Sequence, residues 1–260
     1  MQTTKSKFNI LRSKELWELT PEFHKILNQE KFIDFSISHR EINLAEIVMG
    51  TFHMVDFSWD VFKQINPIVH RAEALIQKIN WADTGLIVNG EIRPMLLSER
   101  IFSDMISSQN TIVYREYCVS IVGELSTLAS FVNLCQRLGF KKINFYCATD
   151  KVQEAKVFAD VAMKLFINLK VEVKVFDELM HNEELSSLLI VDANFEVEVE
   201  LFENLSYFNF LSPHSIFMDF RSDKNNLLQL EAEKAELVVL DGREFFLKKY
   251  LLASQIVENR

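Results

Sequence analysis

Cys118-Val119-Ser120-Ile121-Val122-Gly123-Glu124-Leu125-Ser126-Thr127-Leu128-Ala129-Ser130 is a short apolar run, a glycine, and then the opening of a helical pattern. A run of this length, rich in β-branched residues and stopped by glycine, reads as a strand. The unit recurs downstream, with strand candidates at Cys118–Val122, Ile143–Cys147, Val171–Phe176, Leu188–Asp192, Ile216–Phe220 and Leu237–Leu240. These runs are short and enriched in Val, Ile and Phe, as strands covered on both faces tend to be. Helical stretches lie between them. In Val152–Asn168 the apolar residues Ala155, Phe158, Ala162 and Leu165 recur at three- to four-residue spacing, and Thr149-Asp150 is the expected N-cap. A β–α alternation repeated in this way predicts a doubly wound parallel sheet.

Upstream the pattern differs. Phe8–Leu11, Phe32–Ile37 and Phe52–Phe57 read as strands, and Pro21–Asn28, Leu44–Met49 and Pro67–Lys78 as helices, with both prolines in a first helical turn. The polar stretch Ser98–Asn110 is expected to form a helix on the hinge side. The predicted class is α/β with two domains. Residues 1–110 form an N-terminal α/β, substrate-type domain and residues 111–242 a Rossmann-like doubly wound sheet. Residues 243–260 form a C-terminal helix returning toward the first domain.

Composition narrows the function. The chain has 260 residues, 48% of them hydrophobic, and this excludes a disordered or collagenous polymer. With 28 Lys+Arg against 37 Asp+Glu the formal charge is −9, and the densest basic spots are the pairs Lys141-Lys142 and Lys248-Lys249. Nucleic acid is therefore not an expected partner, because neutralising phosphates needs clustered cations. Cys118, Cys135 and Cys147 lack metal or disulfide spacing and read as buried thiols in a reducing compartment. No apolar run reaches the ~20 residues that span a bilayer, and the first residues carry no apolar leader, so a cytoplasmic protein without a membrane partner is expected.

There are 22 Phe but only 6 Gly. Scarce glycine bears directly on the turn after the first strand of the second domain, the position of the GxGxxG dinucleotide fingerprint. Its glycines give the tight turn, the close approach of backbone to diphosphate, and the packing of helix on strand. Gly123 supplies only the first, and Leu125 replaces the second. The N–H groups of Ser126 and Thr127 remain for a weakly held anion. The next strand ends in Tyr146-Cys147-Ala148-Thr149-Asp150, with no Arg for a 2′-phosphate and with Asp150 as ribose reader or cap.

Three segments resemble the shikimate dehydrogenases, two-domain enzymes that reduce 3-dehydroshikimate with NADPH. Leu19-Thr20-Pro21-Glu22-Phe23-His24-Lys25 is similar to the SxSPxxHN segment of that family. Gly85-Leu86-Ile87-Val88-Asn89 is similar to GAVNT, and Asp241-Gly242-Arg243-Glu244-Phe245-Phe246-Leu247-Lys248-Lys249 to DGxxMLxxQ. The likeness runs in order and with similar spacing over about residues 8–258.

The resemblance implies roles residue by residue. Thr20 keeps a hydroxyl of the carboxylate-binding pair, while Glu18 replaces the first serine with a like charge. Asn89 matches the asparagine that binds substrate hydroxyls, and Lys249 stands where a glutamine contacts substrate. Asp56-Phe57-Ser58-Trp59-Asp60-Val61-Phe62-Lys63 is similar to NVTxPxK and makes Lys63 the candidate catalytic lysine; a second alignment uses Asn66-Pro67 and brings His70 near that place. Glu99 is the candidate partner carboxylate, with Asp104 an alternative. The lysine would pass a proton to the developing alkoxide and the carboxylate would hold it charged. Gly123, Ser126 and Thr127 are the remnant of the cofactor turn. The GAGGA, NRT and NATxxG segments have become Gly123-Glu124-Leu125-Ser126-Thr127, Cys147-Ala148-Thr149 and Asp192-Ala193-Asn194-Phe195-Glu196-Val197.

The expectation is a shikimate-dehydrogenase-like protein that has lost NADP and catalysis, with a small molecule in the interdomain cleft as possible ligand. One alternative is an active, divergent NAD(P)-dependent oxidoreductase on shikimate or a related hydroxy acid. Another is an interaction scaffold using a Phe-rich helix face made of Phe202, Leu205, Phe208 and Leu211.

Overall fold

In the computed structural model, residues 5–14, 16, 19–30, 32–48, 51–66, 72–109, 111–192, 208–220 and 227–258 are described. The chain divides into two units, Met1–Ile101 with Phe246–Arg260, and Phe102–Phe245.

The first unit is built on β1 (Ser6–Ser13), β2 (Ile33–Arg40), β3 (Met54–Asp56), β4 (Thr84–Val88) and β5 (Glu91–Met95). Their order is β2-β1-β3-β4-β5. β1 runs parallel to β2 and β3, and β4 is antiparallel to β3 and β5, so the sheet is mixed. Buried Phe8, Ile10 and Leu11 make β1 its apolar spine. The helices start where the local chemistry allows. Thr20 Oγ1 accepts the Phe23 N–H at 3.3 Å and Pro21 opens α1 (Pro21–Asn28), which buries Phe23 and Leu27 four residues apart. α2 (Leu44–Val48) follows β2, and Ser58 caps α3 (Trp59–Ile65) through the Val61 N–H. α4 (Ala74–Ile79) and α5 (Leu97–Ser108) complete the run.

Three elements here stand outside the strands and helices expected from the sequence. α3 lies inside the stretch matched to NVTxPxK, and β4 and β5 form a hairpin closed by the two residues Asn89 and Gly90. Both have positive φ, 53° and 75°, the conformation that a two-residue Asn-Gly turn needs. The helix expected over Pro67–Lys78 starts instead at Ala74, because Ala72 and Glu73 are not helical. Pro67 and His70 lie outside the described residues.

The second unit is the parallel sheet. β6 (Cys118–Val122), α6 (Leu125–Arg137), β7 (Lys142–Cys147), α7 (Val152–Leu165) and β8 (Lys170–Val175) form one half. β9 (Ser186–Val191), β10 (Leu211–Asp219), α8 (Leu227–Lys234) and β11 (Val238–Asp241) form the other. α9 (Gly242–Glu258) then carries the chain into the first unit. The order β8-β7-β6-β9-β10-β11 is that of a doubly wound fold, and every neighbouring pair is parallel. The strand order reverses between β6 and β9, which makes their carboxyl ends the switch point. Phenylalanines fill one side of the core: Phe102 packs on Phe131 at 5.0 Å, Phe131 stacks on Phe220 at 5.6 Å, and Phe220 meets Phe245 edge-on at 4.8 Å.

Two local expectations fail. Thr149–Lys151 form a 3₁₀ turn leading into α7, and neither Thr149 nor Asp150 caps that helix; its cap position is Lys151, without a side-chain bond. Phe208 is buried in a left-handed turn (φ 46°) and Leu211 begins β10, so these two share no helix face; Phe202 and Leu205 lie outside the described residues. All three cysteines are free and buried. Burial pushes the Cys118 thiol up, and burial with the Glu124 and Asp150 charges pushes Cys147 to about 11, so both are neutral thiols at pH 7. No helix among the described residues is long and apolar enough to cross a membrane, and no group of three His, Cys, Asp or Glu among them could hold a metal.

Gly85 on β4 lies under Phe57. A Cβ there would stand 2.5 Å from the Phe57 ring and 3.0 Å from Ile92. Gly85→Ala is therefore expected to destabilise the first unit by about 1–3 kcal/mol, the cost of overpacking a close-packed core. Urea unfolding followed by tryptophan fluorescence measures it, since Trp59 and Trp81 lie in this unit and pack on each other at 5.2 Å.

Candidate functional site

The parallel register of β1 and β3 sets Arg12 directly beside Asp56. Their side chains meet at 2.9 Å, from Arg12 Nη1 to Asp56 Oδ2, with both residues almost wholly buried. α9 brings two further groups. Tyr250 donates its hydroxyl to Asp56 Oδ2 at 2.9 Å, and Lys249 Nζ lies 2.8 Å from Asp56 Oδ1 and 3.5 Å from Asp83 Oδ1. Arg12 also sits over the Phe246 ring at 4.9 Å. Asp83 in turn accepts the N–H groups of Leu97 and Ser98 at the start of α5 and the Thr84 hydroxyl. Ser13 and Ser58 hydroxyls bond at 3.1 Å beside this group.

The group contains two cations and two carboxylates. Burial pushes the Asp56 carboxyl up, but the charges of Lys249 and Arg12 and the hydrogen bonds from Lys249 and Tyr250 outweigh it and hold its pKa below the ordinary carboxylate value. Burial, then the Asp56 charge, pushes the Tyr250 hydroxyl well above its ordinary value, so it remains a donor. A lysine held between two carboxylates and beside a phenol is chemically able to polarise a carbonyl or hydroxyl.

The residues expected to carry the site are distributed differently. Lys249 is at its centre. Thr20 is half-buried and occupied in capping α1, and Asn89 is exposed in the β4–β5 turn. Lys63 is exposed on α3, with its ammonium 4.8 Å over the Trp59 ring, while Glu99 is buried in the first turn of α5. Glu18 lies outside the described residues. Arg12, Asp56, Asp83 and Tyr250 were missed by sequence reading. The signal for two of them was a charge set flush against an apolar run, in Ile10-Leu11-Arg12 and Met54-Val55-Asp56-Phe57.

The second unit has its own candidate position, at the switch point. Gly123 follows β6 directly with φ 137°, and α6 begins two residues later. Asp192, just past β9 and nearly buried, turns its carboxylate into this turn. Its Oδ2 accepts the Glu124 N–H at 3.3 Å and the Thr127 hydroxyl. A Cβ on Gly123 would lie 2.1 Å from the Asp192 Cβ. Leu125, in the place of the second fingerprint glycine, is buried, and Ser126 is half-buried. A diphosphate on such a turn needs the backbone N–H groups and the open space above the glycine. Here a carboxylate holds one N–H and its methylene fills the space, so the residues present do not fit that group.

No protein-family model and no curated sequence matches the chain. Solved structures do. Shikimate 5-dehydrogenase from Listeria monocytogenes, solved with shikimate and NAD, superposes with a TM-score of 0.69 at 14% identity, covering 98% of this chain and 92% of that one. The fold is that of the shikimate dehydrogenases. Shikimate 5-dehydrogenase from Thermus thermophilus, solved with NADP(H) and shikimate, gives 0.64 at 14% identity, over 98% and 94% of the two chains. The shikimate dehydrogenase fold also serves another reductase in this set, 5-ketofructose reductase of a Gluconobacter species, with 0.63 at 12% identity over 98% and 94%.

Removing one member of a buried charged pair strands the others. Asp56→Ala is expected to cost about 3–5 kcal/mol, because Arg12 and Lys249 lose their shared anion, whereas Lys249→Met leaves Asp56 with Arg12 and Tyr250 and costs less. A carboxyl with a depressed folded pKa contributes stability above its unfolded value of about 4 and loses it as pH falls through the folded value. Chemical denaturation between pH 3 and 7 should accordingly show an acid limb in the wild type that Asp56→Asn flattens.

Proposed function

We propose that this protein retains the shikimate dehydrogenase fold as a non-catalytic or altered-function scaffold that no longer binds NADP. The Asp192 carboxylate in the β6–α6 turn carries the reading, since it takes up the N–H and the space that a dinucleotide diphosphate uses. The absence of Arg from Cys147-Ala148-Thr149 and the single remaining fingerprint glycine agree with it. So does the charge-balanced group around Asp56, where Lys249, at the glutamine position of the resembled segment, is held by two carboxylates. A small polar molecule is the ligand class in keeping with the fold, and three free buried thiols suit a reducing cytoplasm.

One observation favours a second reading, an active oxidoreductase on shikimate or a related hydroxy acid. Lys249 between Asp56 and Asp83 is a charged lysine with carboxylates beside it, the pairing that carbonyl reduction uses. Lys63 and Glu99 would then be the catalytic candidates, with Thr20, Asn89 and Lys249 toward substrate.

Thermal unfolding with NADPH and NADH separates the two. A cofactor present at 100 Kd adds about 2.7 kcal/mol of stability, which moves the melting temperature by several degrees. The scaffold reading expects no shift with either cofactor and no shikimate-dependent reduction of NADP or NAD. A saturable shift overturns the loss of NADP, and shikimate-dependent turnover establishes the oxidoreductase instead.

A further inference from the structure

We infer that Asp192 is the chief determinant that excludes dinucleotides from the second unit, acting as a built-in anion in the place of the ligand's diphosphate, and that removing its side chain frees the donors of the turn beneath it. This deepens the reading above and rests on it.

The carboxylate behaves at this turn as a bound anion would. It accepts a backbone N–H, from Glu124, and a hydroxyl, from Thr127, both at the start of a thirteen-residue helix. Those are the donor types, and the positive helix end, that hold phosphates elsewhere. The methylene of Asp192 rests on Gly123, so the glycine's open side is filled from within the protein. That contact also explains why a glycine stands here when the rest of the fingerprint is gone. With φ at 137° and Asp192 Cβ 2.1 Å from where a Cβ would stand, no larger residue fits.

The backbone under the carboxylate is held by the main chain itself. Gly123 donates to Tyr146 O at 3.0 Å and Asp192 N–H to Val122 O at 2.9 Å, so the strand ends are pinned by main-chain bonds that do not involve the Asp192 side chain. Leu125, which sequence reading placed in the diphosphate space, is buried. Removing the carboxylate thus leaves the turn standing, with the Glu124 N–H and the Thr127 hydroxyl released to an incoming anion. The remaining carboxylates nearby, Glu124 and Asp150, are close enough to push the Cys147 thiol up, and they weaken that gain without occupying the turn.

The test measures binding of inorganic pyrophosphate and of NADPH by calorimetry and thermal shift, in the full chain. Wild type is compared with Asp192→Asn, which removes the charge and keeps the shape, with Asp192→Ala, which removes the carboxyl and keeps the β-carbon over Gly123, and with Asp192→Gly, which also opens the space. Asp177→Asn, an exposed carboxylate elsewhere in this unit, is the control for net charge. Wild type and control are expected to show no saturable binding at millimolar ligand. The Asp192 variants should gain at least about tenfold in affinity, with Gly and Ala above Asn. If Ala or Gly does not fold, Asn carries the comparison. Folded variants that gain nothing overturn the role of Asp192 while leaving the loss of NADP intact. A gain in the control as large as in the variants also overturns it, by making bulk charge the cause. NADPH binding to wild type overturns both the inference and the reading beneath it.

Discussion

The contact of Asp192 with Gly123 is imposed by the parallel sheet before any question of ligand arises. β6 and β9 are neighbours across the switch point, with Val122 paired to Val191. The next residue on each strand must then abut its counterpart. In a doubly wound fold this junction opens a crevice, because the first strand turns away on glycines and the fourth ends in something small or polar. Here the fourth strand ends in a carboxylate that bends into the first strand's turn. One side chain thereby closes the helix end, fixes the glycine, and links the two halves of the sheet at the switch point.

The first unit answers the same problem in a different way. Burying Asp56 is costly, and its cost is offset only because the strand register delivers Arg12 to one oxygen and α9 delivers Lys249 to the other. Asp83 links this group to the start of α5, so a helix terminus and an ion cluster share one acceptor. The C-terminal helix is thus anchored in the first unit by charge as well as by the packing of Phe246 on Phe23 at 6.3 Å. In both units, buried carboxylates are satisfied by other groups of the protein itself.

The architecture was largely legible in the sequence, and the reason is physical. Strands buried on both faces are apolar almost throughout, so the central strands of the parallel sheet announced themselves as apolar runs, and the edge strand β8 as an alternation of valine with charge. The mixed sheet was harder. β4 and β5 form a hairpin in which Gly85 and Pro94 sit opposite each other, and a run with glycine and proline does not read as paired strands. α3 is seven residues long, too short for periodicity to speak. At the sites, sequence spacing found Lys249 and Gly123 because the motifs that hold them are contiguous. It could not find Arg12, Asp83, Tyr250 or the role of Asp192. Their partners lie 44, 14 to 15, 194 and 65 to 68 residues away respectively, and only register and packing bring them together.

The two charged arrangements do not weigh equally in deciding what the protein does. The Asp56 group is compatible with chemistry as well as with stability, since an ammonium between carboxylates can still polarise an oxygen placed beside it. The switch-point arrangement is less permissive. A diphosphate arriving there meets a like charge seated on the N–H it needs, and displacing Asp192 would expose a nearly buried carboxylate to an anion without supplying it a new donor. Reduction requires both a polarised carbonyl and a hydride source. On the reading proposed above the second requirement fails at Asp192 whatever Lys249 can do, so that reading rests on the cofactor turn rather than on the state of the substrate-side residues.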